Sequence, residues 1–341
     1  MRIFFFNSFT RTALSALLSI ALLAQPATSF GEAARDAPQI GDNVFRASDG
    51  TELPMRSWLP AGRPQAAIVA LHGFADYSAA YKHPADLWAS AGIATFAFDQ
   101  RGFGGAPHIL HWSSTARMTA DADEAVSAVK ARYPGIPTFL LGESMGGAVA
   151  LTATTGPNPA HVDGVILVSP AVWEHSLLGA IERSALWVAE MAVPGLWLSA
   201  PPGLHIQPSN NIEMLRALGR DALVQKGARA DTTAGLMDLM DQAGRKVGQI
   251  RLPTLVLFGA HEEVLPHSAV TSFLTRLPAG DVRVALYPNG YHMLLRDLDG
   301  DIVARDVLSW IRDRAAELPS GDECRGEAAE SPPCRATAPP T

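Results

Sequence analysis

A chain of 341 residues that is 48% hydrophobic and 18% charged can bury a large core, which excludes a chain disordered throughout. Its formal charge of −7, with no basic run, argues against nucleic acid as a partner. The two cysteines, Cys324 and Cys334, have neither the spacing nor the company of a metal site. In an oxidising compartment they would close a small loop; otherwise they stand as two thiols on a tail.

The chain opens on Arg2 and Arg11, then the apolar run from Ala13 to Ala24, then small and turn-forming residues to Ser29. Residues 1–29 therefore read as a signal peptide, and the protein as exported, periplasmic or secreted. The alternative is an uncleaved anchor, although the run is short for a span of about 20 residues.

Further on, Val44–Ala47 and Leu53–Trp58 flank Ser48-Asp49-Gly50, a hairpin signal. Ala66–Leu71 and Ile93–Phe98 are near-continuous apolar runs, as strands buried on both faces would be, with a helical stretch at 79–91 between them. Ala122, Ala125, Val126 and Val129 share one face of a helix that Pro134-Gly135 ends. Short strands follow at Thr138–Leu141, Val165–Val168, Leu255–Phe258 and Val282–Tyr287, then an amphipathic helix at 302–316. This alternation predicts an α/β fold, a mostly parallel sheet with helices on both faces. Between Pro170 and Ile250 no strand signal appears, only helical stretches rich in Leu, Trp and Met, which predicts an inserted helical cap. The organisation expected is a core at 40–169 and 251–317, a cap at 170–250 and a flexible tail at 319–341.

Gly142-Glu143-Ser144-Met145-Gly146 stands between the strand Thr138–Leu141 and a run of small apolar residues suited to a helix. A serine on so sharp a corner needs tiny residues two places before and after it, and both are glycine. This pattern is a nucleophile elbow and predicts an enzyme. A serine hydroxyl is a poor nucleophile without a histidine to take its proton and an acid to orient that histidine. In a parallel sheet these partners sit beyond the carboxyl ends of later strands. The strand ending at Phe258 leads to Glu262 and Glu263, and the strand ending at Tyr287 leads to His292. Backbone N–H groups of Met145 and, in the loop His72-Gly73-Phe74, of Phe74 are the candidate oxyanion donors.

His72-Gly73-Phe74, Asp99-Gln100-Arg101-Gly102-Phe103-Gly104, Gly142–Gly147 and Gly290-Tyr291-His292-Met293, taken together, resemble the monoacylglycerol lipase and lysophospholipase branch of the α/β-hydrolases, of the serine aminopeptidase S33 type. The resemblance runs from about Phe45 to Arg312. It implies an α/β-hydrolase fold, a serine esterase acting on monoacyl lipids or other small acyl esters, a cap that forms the acyl site, and no metal or cofactor. One departure stands at the acid: the family places Asp three residues after the strand-end glycine, and here that position is Glu262. Glu262 keeps the spacing to Val264 and Pro266 and is preferred to Glu263. An amidase or peptidase on the same scaffold, and a non-catalytic binding protein, are the alternative readings. A passing contact with a lipid surface through the cap is compatible with its Trp-rich helix; the oligomeric state is not legible.

Other polar residues carry less. His72 and Asp99 sit in strand-to-loop corners and read as structural, as does Glu143 under the elbow. The glycines at 102–105 lack nucleotide-binding spacing, and His261 and His267 read as loop residues.

Overall fold

The computed structural model describes residues 36–174, 193–198 and 205–324. The signal-peptide stretch, the parts of the expected cap at 175–192 and 199–204, and Cys334 lie outside the described residues. Three strands, β1 (Gln39–Gly41), β2 (Val44–Arg46) and β3 (Glu52–Trp58), run antiparallel, with Phe45 opposite Leu53 across the hairpin. The apolar runs then become β4 (Ala66–Leu71), β5 (Ile93–Phe98), β6 (Thr138–Glu143) and β7 (Gly164–Val168). Each is buried along its whole length.

Their period-two alternation explains why continuous apolar runs were needed. In β4, Ala67, Val69 and Leu71 join the core on one face of the sheet, and Ala66, Ile68 and Ala70 join the core on the other. One face is covered by α2 (Thr115–Arg132) and α3 (Met145–Thr154). The opposite face is covered by α1 (Lys82–Ser90) and, at the far end of the chain, by α7 (Gly300–Arg312). The indole N–H of Trp88 on α1 donates to the carbonyl of Ala304 on α7 at 2.9 Å, which locks these two helices together.

Between β7 and the next sheet strand lie β8 (Trp197–Leu198), α4 (Ile212–Arg220), β9 (Ala228–Arg229) and α5 (Ala230–Lys246). β8 and β9 pair antiparallel, correcting the expectation of no strand here; two residues each are too few to show alternation in sequence. Helix α4 buries none of its residues. By contrast, α5 places Leu239, Met240 and Ala243 in the same core as α2 and α3, so it is a covering layer of the sheet.

The chain returns to the sheet as β10 (Thr254–Gly259), α6 (His267–Thr275) and β11 (Val282–Tyr287). His267, read as a loop residue, opens α6, whose Ala269, Val270 and Phe273 are buried. Strand order is β1-β2-β3-β5-β4-β6-β7-β10-β11, with β5 to β11 mutually parallel. The carboxyl ends of β4, β6, β10 and β11 therefore open on one edge of the molecule. Residues 319–324, expected within a flexible tail, are ordered: Glu323 bridges antiparallel to Ala285, and Cys324 N–H donates to the carbonyl of Val284 at 2.9 Å. Cys324 is disulfide-bonded. Among the described residues no helix is long and apolar enough to cross a membrane.

Candidate active site

Ser144 sits between the last residue of β6 and the first of α3 with φ +53° and ψ −117°, a conformation that a non-glycine residue adopts at a cost of about 1–3 kcal/mol. The neighbouring glycines make the corner possible. A Cβ on Gly142 would lie 2.2 Å from the carbonyl oxygen of Gly146, and one on Gly146 would lie 1.9 Å from that of Leu71. Ser144 N–H donates to Val168 O at 2.9 Å, tying the corner to the neighbouring strand. The side chain is thereby presented at the edge of the sheet, partly exposed, while the residues around it are buried.

Glu262 and His292 are brought together. Nδ1 of His292 lies 2.7 Å from Oε2 of Glu262, and both side chains are 6% exposed. The second carboxylate oxygen of Glu262 accepts the N–H groups of Val264 at 2.7 Å and Leu265 at 3.0 Å. Both oxygens are thus occupied, and the longer glutamate arm is held in a single pose. Glu263 turns the other way, accepting the N–H of Gln207 at 2.8 Å.

The loop after β4 closes on the serine, since a Cβ on Gly73 would stand 3.4 Å from the Cβ of Ser144. Among the described residues, the N–H groups of Phe74 and Met145 donate to no protein acceptor. Met145 opens α3, where a first-turn N–H has no partner within the helix. His72 is fully buried; Gln100 N–H donates to its Nε2 at 2.9 Å, so the neutral ring carries its proton on Nδ1 and donates to Gly73 O at 2.8 Å. Burial pushes its pKa below the ordinary value, which keeps the ring neutral. Asp99 accepts from Ser78 N–H, Ser78 O–H and Gly105 N–H at 2.9, 2.5 and 2.8 Å. It stitches the loop after β5 to the one after β4. The glycines at 102–105 turn within this loop, and His261 stacks on Tyr291 with ring centroids 5.0 Å apart.

Three residues that sequence reasoning missed, Asp76, Arg296 and Asp297, lie in this cluster. Arg296 donates to Asp76 at 2.6 Å and to Glu143 at 3.0 Å. Burial pushes the Glu143 carboxyl above its ordinary range, and the nearby Arg296 opposes that shift. Nothing in the string Leu294-Leu295-Arg296-Asp297 marks the arginine as buried; only the three-dimensional meeting of the loops does. Asp297 accepts Ser209 O–H at 2.5 Å and Tyr291 N–H at 2.7 Å, joining the histidine loop to the insertion. Among the described residues no group of three or more His, Cys, Asp or Glu side chains could hold a metal ion.

Comparison with known proteins shows the family and the fold. The family described as serine aminopeptidase, S33, matches residues 62–299, well over half of the chain. The monoacylglycerol lipase of Mycolicibacterium smegmatis is 25% identical over 272 residues, covering 79% of this chain and 96% of the relative. The human monoglyceride lipase is 26% identical over 273 residues, covering 79% and 89%. Among solved structures, a monoacylglycerol lipase from Paleococcus ferrophilus superposes with a TM-score of 0.62 at 24% identity, over 76% of this chain and 98% of that one. A soluble variant of the Saccharomyces cerevisiae monoglyceride lipase gives 0.65 at 19% identity, over 83% and 97%. These likenesses show the α/β-hydrolase fold. With a serine on the strained β6–α3 corner and a family match that spans the loops after β4, β6, β10 and β11, the chain belongs to the serine aminopeptidase S33 family of α/β-hydrolases, on its monoacylglycerol lipase-like branch.

Proposed function

We propose that this carboxylic ester hydrolase cleaves monoacyl lipids, monoacylglycerols or lysophospholipids, through an acyl-enzyme on Ser144. The observation that carries the reading is the 2.7 Å contact of Glu262 with His292 on the loops after β10 and β11. Ser144 Oγ attacks the ester carbonyl while Nε2 of His292 takes its proton. Glu262 keeps the Nδ1 proton facing it, holds the ring and stabilises the imidazolium that forms. The N–H groups of Phe74 and Met145 receive the oxyanion. Collapse of the intermediate breaks the bond to the alcohol, which leaves with the proton from His292. Water, deprotonated by His292, then attacks the acyl-serine and releases the acid.

The test is hydrolysis of 1-monoacylglycerols and of p-nitrophenyl esters from acetate to palmitate, beside Ser144→Ala. Turnover of medium or long chains that vanishes in Ser144→Ala is expected; full activity in that variant would falsify the acyl-enzyme. Because the family description names an aminopeptidase, aminoacyl amides are the control. Faster turnover of amides than of esters would replace the lipid reading with the peptidase one.

Export belongs to the same proposal, supported by Arg2, Arg11 and the apolar run at 13–24, and is checked by cell fractionation of the full chain. A transient contact of the insertion with the lipid surface is supported by Leu196 and Trp197, 44% and 49% exposed. Flotation with neutral vesicles containing monoolein, with Trp197→Ser as comparison, tests it.

A further inference from the structure

We infer that Arg296 is a positioning residue: its buried guanidinium bridges the loop carrying Phe74 to the nucleophile corner, and its backbone belongs to the loop carrying His292. The inference rests on the catalytic reading above. One nitrogen, Nη1, donates to Asp76 Oδ2 at 2.6 Å, and Asp76 lies two residues after Phe74. The other, Nη2, donates to Glu143 Oε2 at 3.0 Å, and Glu143 immediately precedes Ser144. Arg296 itself follows His292 by four residues, and its N–H donates to Met293 O at 2.8 Å. One residue, through its side chain and its backbone, therefore joins three of the four loops that supply the proposed chemistry.

Energetics argue that this bridge is not there for stability alone. The three side chains are 9%, 6% and 3% exposed for Arg296, Asp76 and Glu143. Desolvating so many charges offsets most of their attraction, and apolar side chains of similar volume commonly stabilise a protein as well or better. Among the described residues, Arg296 Nε and Glu143 Oε1 are buried with no hydrogen-bond partner, a further cost. What a guanidinium supplies that an apolar side chain cannot is a rigid planar fork that fixes two carboxylates at a set separation. Asp76 passes this on locally, because its other oxygen accepts Tyr77 N–H at 2.8 Å at the end of the Phe74 loop. Displacements near 1 Å between reacting groups cost about 100-fold in rate, so a brace at this junction acts on turnover more than on binding.

Two variants test this. Arg296→Lys keeps the charge and loses the fork. The triple variant Arg296→Met, Asp76→Asn, Glu143→Gln removes all three charges together, so that no unpaired ion is left to unfold the protein. Both are compared with the wild type for kcat and KM on a monoacylglycerol, for the rate of Ser144 labelling by a fluorophosphonate, and for thermal unfolding. The expected result is a folded triple variant with kcat and labelling rate down about 10-fold or more and KM within about twofold, with Arg296→Lys in between. A folded triple variant with wild-type kcat and labelling overturns the brace, as does a rise in KM alone. If the wild type itself leaves Ser144 unlabelled, the catalytic reading falls, an outcome distinct from labelling that is unchanged by the substitutions.

Discussion

Nδ1 of His72 donates to the carbonyl oxygen of Gly73 at 2.8 Å, and this bond fixes the peptide that links Gly73 to Phe74. The peptide is trans, so its N–H points opposite to its C=O, away from the His72 ring. Gln100 makes the arrangement unambiguous by occupying Nε2 with its own N–H and by donating Nε2–H to the carbonyl of His72 at 2.8 Å. A histidine that touches no substrate thereby aims a proposed oxyanion donor. His72→Phe fills the same space without the bond. Misdirecting a donor costs less than deleting one, so kcat should fall roughly 10- to 100-fold with KM little changed. Steady-state kinetics on a monoacylglycerol decide the matter, and an unchanged kcat would remove His72 from the machinery.

The same histidine gives a pH prediction. Its folded-state pKa is pushed below the ordinary 6.5 by burial, so the unfolded chain binds the proton first as pH falls. The stability associated with the neutral ring is full above about pH 6.5 and is lost as pH drops from there toward the lowered folded value. His72→Phe has no such loss. The gap in melting temperature between wild type and His72→Phe should therefore narrow on acidification below pH 6.5, as thermal unfolding across pH 5 to 8 would show. A constant gap would mean that the ring titrates alike in both states.

Glu262 is built into its loop as a glutamate. With Oε1 taken by two backbone N–H groups and Oε2 by His292, shortening the arm by one methylene breaks one set of bonds or the other. Glu262→Asp, although it restores the residue type that the resemblance associates with this position, should lower kcat about 10-fold. Glu262→Gln, which can offer an N–H to the histidine and favour the wrong tautomer, should lower it by about 1,000-fold or more. Kinetics of both variants beside Glu263→Gln, which should stay near wild type, check the assignment.

The inner strands were legible because parallel strands buried on both faces leave uninterrupted apolar runs, and β4 and β5 fall where those runs do. The serine, the glutamate pair and the histidine were legible because strand ends and glycines bracket them. What the sequence hid is of a different kind. β8 and β9 are too short to carry a period, and α6 is announced only by Pro266 and four apolar residues. Arg296, Asp76 and Asp297 look like surface charges in the string; their burial follows from loops that are far apart in the chain and meet only at the sheet edge.

Asp297 couples the insertion to the histidine loop. Its two oxygens hold Ser209 and Tyr291, the residue before His292, while Asn210 and Asn211 donate to Asn289 O and Arg296 O at 3.3 and 3.1 Å. Asp297→Ala leaves a buried hydroxyl and a backbone N–H without acceptors, at about 1–3 kcal/mol each. Amide exchange should accelerate together at residues 205–211 and 289–298. Acceleration in only one of these segments would show that they move independently.

Residues 322–324 cover the edge of the sheet. β11 is the last strand in the sheet, and its outer side is met by residues 322–324, with Leu286 N–H donating to Asp322 O at 3.0 Å. Arg283 on that strand forms a two-point ion pair with Glu323, one contact being 2.7 Å, and the two side chains are 10% and 8% exposed. Because β11 leads directly into the His292 loop, fraying at this edge would reach the proposed site. Glu323→Gln leaves the guanidinium underpaired and should cost about 3 kcal/mol, whereas Arg283→Met with Glu323→Leu should recover most of that loss. Truncation after Gly321 bares the N–H and C=O groups of β11 and should add concentration-dependent association, read by light scattering on a sizing column. A truncated protein that elutes and melts with the wild type at every concentration would show that the strand protects itself, and that residues 322–324 merely rest on it.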